Sequence, residues 1–237
     1  ATQGSVLSWL RGSAGRLFIL DRATTVPGRL TITDGTPGST RFAADANPDL
    51  VADDAAAGLG PAVLGDRLFY EHRTTATGLE LWVSDGTGAP TGTHLVRDIS
   101  PDAADTQFDQ LTPSGDLMYF RVTTTGSAVW RTDGNAQATF AVTPEDGAFS
   151  NLTDVDGRLF FVGRVAPSDP PGLWMTDGSV MGTTRVKPFT SLSIGGTPIT
   201  PVRTTGKCFF ASGPLSPEGR ELWISDGTES GTTRVAD

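Results

Sequence analysis

The sequence is poor in cysteine, histidine and positive charge, and it has no long apolar run. A single cysteine, Cys208, among 237 residues excludes an intrachain disulfide and any cysteine-cluster zinc or iron–sulfur centre. No stretch approaches the ~18 consecutive apolar residues of a membrane-spanning helix. The two histidines, His72 and His94, both fall in one region of the chain. There is no Gly-x-Ser-x-Gly elbow, phosphate-binding glycine loop or His-Glu-x-x-His, so the usual signatures of hydrolase, nucleotide and zinc-protease chemistry are missing. Lys and Arg number 18 against 27 Asp and Glu, for a net charge of −9. That balance disfavours nucleic acid and anionic membrane as partners, since both select basic surfaces. Ala1-Thr2-Gln3-Gly4 lack the basic and apolar segments of a signal peptide, as in a mature chain from which one has been removed.

What is plentiful is Gly (29) and Pro (16), a composition of strands and turns. It is organised by an internal repeat. Asp34-Gly35, Asp85-Gly86, Asp133-Gly134, Asp177-Gly178 and Asp226-Gly227 follow one another at intervals of 51, 48, 44 and 49 residues. Counting from Asp226 through the C-terminus and on to Asp34 gives 45, so the period closes on itself. Five repeats result, over about 1–45, 46–98, 99–143, 144–188 and 189–237.

Each repeat holds four short β-type runs, a to d. An apolar segment (Val6-Leu7, Ala62-Val63, Gln110-Leu111, Asn151-Leu152, Pro201-Val202) precedes an aromatic block such as Leu68-Phe69-Tyr70 or Leu159-Phe160-Phe161. A Trp-bearing run then leads into Asp-Gly, at Trp82, Trp130, Trp174 and Trp223, with Thr31 in the first repeat. A Thr-rich run follows, such as Thr184-Arg185-Val186. The runs are apolar on both faces, so each sheet is expected to be covered on both sides. Four antiparallel strands every 44–51 residues predict an all-β, five-bladed β-propeller forming one domain over residues 1–237. The regular fifth repeat argues against a linear solenoid, whose terminal repeats are caps.

Glu80-Leu81-Trp82-Val83-Ser84-Asp85-Gly86-Thr87 and Glu221-Leu222-Trp223-Ile224-Ser225-Asp226-Gly227-Thr228 resemble the repeat of bacterial ELWxxDGT-repeat proteins. The chain departs from that pattern at Thr31, at Gly88-Ala89-Pro90-Thr91, at Asn135 and at Ser179. The resemblance implies a secreted or cell-surface bacterial protein and brings no catalytic residue set with it.

The recurrent carboxylates Asp34, Asp85, Asp133, Asp177 and Asp226 are read as structural turn residues, because one per blade at one hairpin is what turn geometry demands. Asp154-x-Asp156-Gly157 is read as an a–b hairpin, since no further oxygen ligands follow at calcium-loop offsets. No metal site and no cofactor are expected; the acidic stretches Asp45 to Asp54 and Asp102 to Asp109 leave weak calcium binding open. Among inner-strand residues only Asp154 is a carboxylate, with Arg203 in the fifth repeat, too few for a two-carboxylate glycosidase. The chain is therefore expected not to be an enzyme.

Alternating strand direction places the short a–b and c–d turns at one end of each sheet. The long, dissimilar b–c and d–a loops, such as Asp21–Gly28, Glu71–Gly78, Arg164–Gly172, Asp45–Pro61 and Pro188–Thr200, lie at the other, where function concentrates. Phe108-Asp109-Gln110 and Phe149-Ser150-Asn151 each bring an aromatic ring and an amide to the start of strand a. Phe108, Asp109, Gln110, Phe149 and Asn151, with Trp9 in the first strand a, are the candidate ligand-binding residues. The reading is a non-catalytic, extracellular or cell-surface recognition module for a glycan. A protein-interaction or adhesin scaffold binding a cell-surface protein is the alternative, and a polysaccharide-cleaving propeller a third.

Overall fold

A computed structural model describes residues 6–13, 15–22, 29–42, 61–87, 92–189, 199–202, 205–212 and 221–236. Its strands form five four-stranded antiparallel sheets, each a simple meander. The first contains β1 (Val6–Ser13), β2 (Arg16–Arg22), β3 (Arg29–Thr33) and β4 (Arg41–Phe42). The second contains β5 (Ala62–Leu64), β6 (Arg67–Thr74), β7 (Gly78–Ser84) and β8 (Thr93–Leu95). In the third are β9 (Phe108–Ser114), β10 (Leu117–Val122), β11 (Ala128–Thr132) and β12 (Phe140–Ala141). The fourth is made of β13 (Ala148–Val155), β14 (Arg158–Arg164), β15 (Gly172–Thr176) and β16 (Thr184–Pro188). The fifth has β17 (Ile199–Val202), β18 (Lys207–Ser212), β19 (Glu221–Ser225) and β20 (Thr233–Ala236). Each sheet falls inside one sequence repeat, and each of its strands is one of the runs a to d. Among the described residues the only helical element is one 3₁₀ turn, Ala136–Ala138, and no helix is long and apolar enough to cross a membrane.

The chain packs as two compact units, residues 1–111 with 134–139, and residues 112–133 with 140–237. The division runs through the third sheet for a local reason. A side chain at Gly134 would press on the Arg67 guanidinium and lie against Phe69. His94 Nε2 hydrogen-bonds the Gly134 carbonyl at 3.1 Å, and Arg97 donates to the Thr139 carbonyl at 2.5 Å. That segment is thereby tied to the second sheet.

Within the first unit, Phe18, Leu30 and Ile32 of the first sheet pack with Leu68 and Tyr70 of the second. In the second unit, Tyr119, Val129 and Val142 pack with Phe149, Leu152, Leu159 and Phe161, joining the third sheet to the fourth. Phe160, Val162, Leu173 and Val186 pack with Ile199, Cys208 and Phe210, joining the fourth to the fifth. Burial of each such side chain stabilises by about 1.5–3 kcal/mol, which is why runs apolar on both faces are needed.

Aromatic side chains stand opposite one another across the central strands, as Phe120↔Trp130, Phe161↔Trp174 and Phe210↔Trp223. These pairs are near-parallel, with centroids 6.3–6.5 Å apart. The segments 23–28, 43–60 and 190–198, which hold most of three long loops, lie outside the described residues.

Candidate functional site

The Asp-Gly turns join strands c and d, and their chemistry repeats atom for atom. Oδ1 of Asp34, Asp85, Asp177 and Asp226 accepts both the backbone N–H and the hydroxyl of the residue two further on, at 2.7–2.9 Å. The hydroxyl of the residue before each Asp accepts the glycine N–H at 3.0–3.2 Å, from Thr33, Ser84, Thr176 and Ser225. Hydrogen bonds from the Ser39 hydroxyl and from Thr36 hold the Asp34 carboxyl down at about 2. Those from Ser179 lower Asp177, and those from Thr228 lower Asp226. Such carboxylates are engaged within their own turns. Asp133 occupies the same place in the third sheet, ahead of Gly134 and Asn135.

The glycine has a second task that turn chemistry does not reveal. Gly178 has φ +96°, and a Cβ there would lie 2.5 Å from Leu117 Cδ1 and 2.9 Å from Tyr119 Oη of the preceding sheet. Gly86 rests likewise on Ile32 and Phe18, and Gly227 on Met175 and Phe160. Basic residues opening strand b reach the following sheet: Arg16 donates to the Asp85 carbonyl of the Asp-Gly turn at 2.8 Å, and Arg158 to the Gly206 carbonyl of the a–b hairpin at 3.0 Å.

At the loop end of strand a the structure separates the candidate residues. Phe149 is fully buried, edge-on to Phe161 at 5.7 Å and to Trp174 at 5.4 Å. Its N–H donates to the Ser127 carbonyl, and its carbonyl accepts from Arg121, so the residue locks the third sheet to the fourth. Gly163 leaves the room, since a Cβ there would run into the Phe149 ring. Phe108 is buried as well, at 4% exposure. Both rings are corrected from surface stacking platforms to interior packing, because an apolar ring at the end of a both-faces-covered strand gains more by burial than by waiting for a ligand.

The amides behave differently. Gln110 has φ +57° and Asn151 φ +59°, and both are half-buried. They occupy equivalent places, two residues after Phe108 and Phe149 in their respective strands. In β13 the register shifts between Ser150 and Thr153, a β-bulge at Asn151. Left-handed backbone is tolerable for Asn but costs Gln about 1 kcal/mol. Strain of this sort concentrates where a site needs a side chain re-aimed. Asp109 is half-buried beside Gln110. Trp9 stands in β1 opposite Leu20, beside that strand's own register shift; its side chain lies outside the described residues.

Asp154 Oδ1 accepts the Ser114 hydroxyl at 2.6 Å and the Gly157 N–H at 3.1 Å, so this inner-strand carboxylate joins two neighbouring strands a. Arg203 lies outside the described residues. Cys208 is buried, and loss of solvent pushes its thiol up to about 12. Among the described residues no cluster of three or more His, Cys, Asp or Glu side chains could hold a metal.

One site escaped the sequence reading. Glu80 is fully buried, and its Oε1 accepts the Thr106 hydroxyl at 2.5 Å and the Ser100 N–H at 3.0 Å. Burial raises its carboxyl to about 7, against the lowering effect of those bonds. Nearby, Asp105 accepts from Arg73 and from the Leu79 N–H, which lowers its carboxyl. Glu80 and Asp105 thus fasten the 98–107 loop to the β6–β7 hairpin. The signal was the Glu of Glu-Leu-Trp, which recurs at Glu221.

No protein-family model matches the sequence, and no curated protein matches it. Solved structures do resemble it. One, from a structural and mechanistic analysis of two prolyl endopeptidases, aligns over 99% of this chain and 37% of its own, with a TM-score of 0.53 and 12% identity. Another, a puromycin-hydrolysing peptidase of Mycobacterium tuberculosis, aligns over 98% and 38%, with a TM-score of 0.51 and 12% identity. The chain thus spans little more than a third of those proteins. Likeness at this identity is one of fold. Together with the five four-stranded sheets it places the chain among the five-bladed β-propellers.

Proposed function

We propose that this propeller is a non-catalytic recognition module that binds carbohydrate through the loop ends of its innermost strands, in the extracellular space or at the cell surface. The observation that carries the reading is the pair Gln110 and Asn151, two half-exposed amides at one strand position, each in left-handed backbone. Amide groups offer donor and acceptor together, as sugar hydroxyls require. Resemblance of the repeats to ELWxxDGT-repeat proteins supports the extracellular setting. The non-catalytic reading draws on the state of Cys208 and on the engagement of Asp154 by Ser114 and Gly157. The peptidases of similar fold are enzymes, but this chain matches only part of each. A glycan array probed with the purified protein tests the reading. Weakened binding to a defined glycan is expected in each of Q110A and N151A, read as two separate sites; undiminished binding by both variants would remove the reading.

A protein-interaction scaffold is the second reading, favoured by Val180 and Met181. These are 59% and 91% exposed in the turn after Asp177, where turn geometry requires neither. Loss of a protein partner in V180S/M181S, with sugar binding absent, would decide for it.

A further inference from the structure

The second sheet carries a polar block where the third and fourth sheets are apolar. Tyr70 stands opposite Trp82, and His72 opposite Glu80, across β6 and β7. Because side chains alternate along a strand, all four share one face. The matching block of the third sheet is Phe120, Trp130, Val122 and Ala128. In the fourth it is Phe161, Trp174, Gly163 and Gly172, with the Phe149 ring laid over it. In the second sheet the third ring on the Trp is His72, edge-on at 4.9 Å.

These polar replacements are deep. Tyr70 and His72 are each 2% exposed and Glu80 is 0% exposed. Three buried polar atoms on the block have no hydrogen-bond partner in the protein: Tyr70 Oη, Trp82 Nε1 and Glu80 Oε2. By contrast, the Trp174 indole N–H donates to the Gly163 carbonyl at 3.0 Å. A buried polar group left unsatisfied costs about 1–3 kcal/mol, so three on one face call for a guest.

We propose that this face of the second sheet binds internal water, which accepts from the Trp82 indole N–H and exchanges hydrogen bonds with Glu80 Oε2 and the Tyr70 hydroxyl. The donor set selects the guest. The Trp82 indole N–H can only donate, the Glu80 carboxyl oxygen and the Tyr70 hydroxyl can each accept, and water both donates and accepts. Buried waters characteristically make about three bonds of this kind.

The test is a water–protein cross-relaxation spectrum of the folded, ¹⁵N-labelled chain. The Trp82 Hε1 resonance, assigned by its loss in W82F, is expected to show a cross-peak to long-lived water, while Trp174 Hε1 shows none. The cross-peak should persist in Y70F, which rules out relay through the hydroxyl proton, and in E80Q, which retains Oε1 for Ser100 and Thr106. A Trp82 signal as silent as that of Trp174, or one that vanishes in Y70F, would overturn the proposal. So would a crystal structure in which the Trp82 indole donates to a protein carbonyl.

Discussion

Glu80 on β7 accepts the hydroxyl of Thr106, 26 residues further on, at 2.5 Å. A buried carboxyl in this way positions a loop that the sequence marks only as polar. The loop end of the second sheet is consequently built from interior chemistry.

A pH dependence follows from this residue. Its carboxyl is raised from 4.5 to about 7 by burial, so the folded protein holds the proton more tightly than the unfolded chain. Its contribution to stability is greatest below pH 4.5, declines as pH rises to 7 and is level above. The span is at most about 3 kcal/mol, from about 1.4 kcal/mol per pKa unit. His72 opposite, Asp98 and the Arg73–Asp105 pair are further ionisable groups around it, so the quantity to measure is the difference between wild type and E80Q. Urea denaturation from pH 4 to 8 should give a difference that grows with pH in favour of E80Q. A flat difference would show that Glu80 does not titrate in this range.

The Asp-Gly turns should show two grades of damage. D177A loses two hydrogen bonds at an exposed site and should cost about 1–2 kcal/mol, or several degrees in Tm. G178A forces a side chain against Leu117 and Tyr119 at φ +96° and should cost more. Thermal unfolding of both variants checks the order.

For Phe149 the expectation is a packing defect. F149A leaves a cavity against Phe161 and Trp174 and should destabilise by about 3–5 kcal/mol. At a temperature where the variant remains folded, glycan binding should be retained. Selective loss of binding at unchanged Tm would return the ring to the surface site.

Relief of backbone strain separates stability from recognition at the left-handed amides. Q110G should raise stability by about 0.5–1 kcal/mol, since glycine takes left-handed backbone without penalty. Q110G and N151G should each weaken sugar capture at their own strand. Calorimetric unfolding and titration of the same preparations read both effects.

Cys208 should resist alkylation in the native state at pH 8, where a thiol raised to about 12 is almost wholly protonated. Modification should appear with the unfolding transition. Rapid labelling of the native protein would place the thiol outside the core formed by Phe160, Leu173 and Phe210.

Much of the architecture was legible beforehand. Aromatic blocks, Trp-bearing runs and Asp-Gly pairs recur at one spacing, and each proved to be a strand or turn of one sheet. The candidate site was legible only in part. Gln110 and Asn151 were visible as amides near strand starts, but their common left-handed backbone was not. The burial of Phe149 was not legible either, because it depends on Gly163 and Trp174, which stand elsewhere in the sequence. Glu80 was visible as a motif letter without a role, since its partners lie in a loop with no counterpart motif.

Number, order and direction of the strands were thus dictated by local rules: short continuous apolar runs, β-prone aromatics and turn residues act over a few positions and repeat. Tertiary packing alone decided which aromatic rings face inward, why each Asp-Gly turn needs its glycine, and which polar side chains are buried. Those outcomes depend on what another sheet brings within a few ångströms. The scarcity of cysteine and histidine set bounds on chemistry; the packing of Cys208 and His72 gave that scarcity a place in the interior.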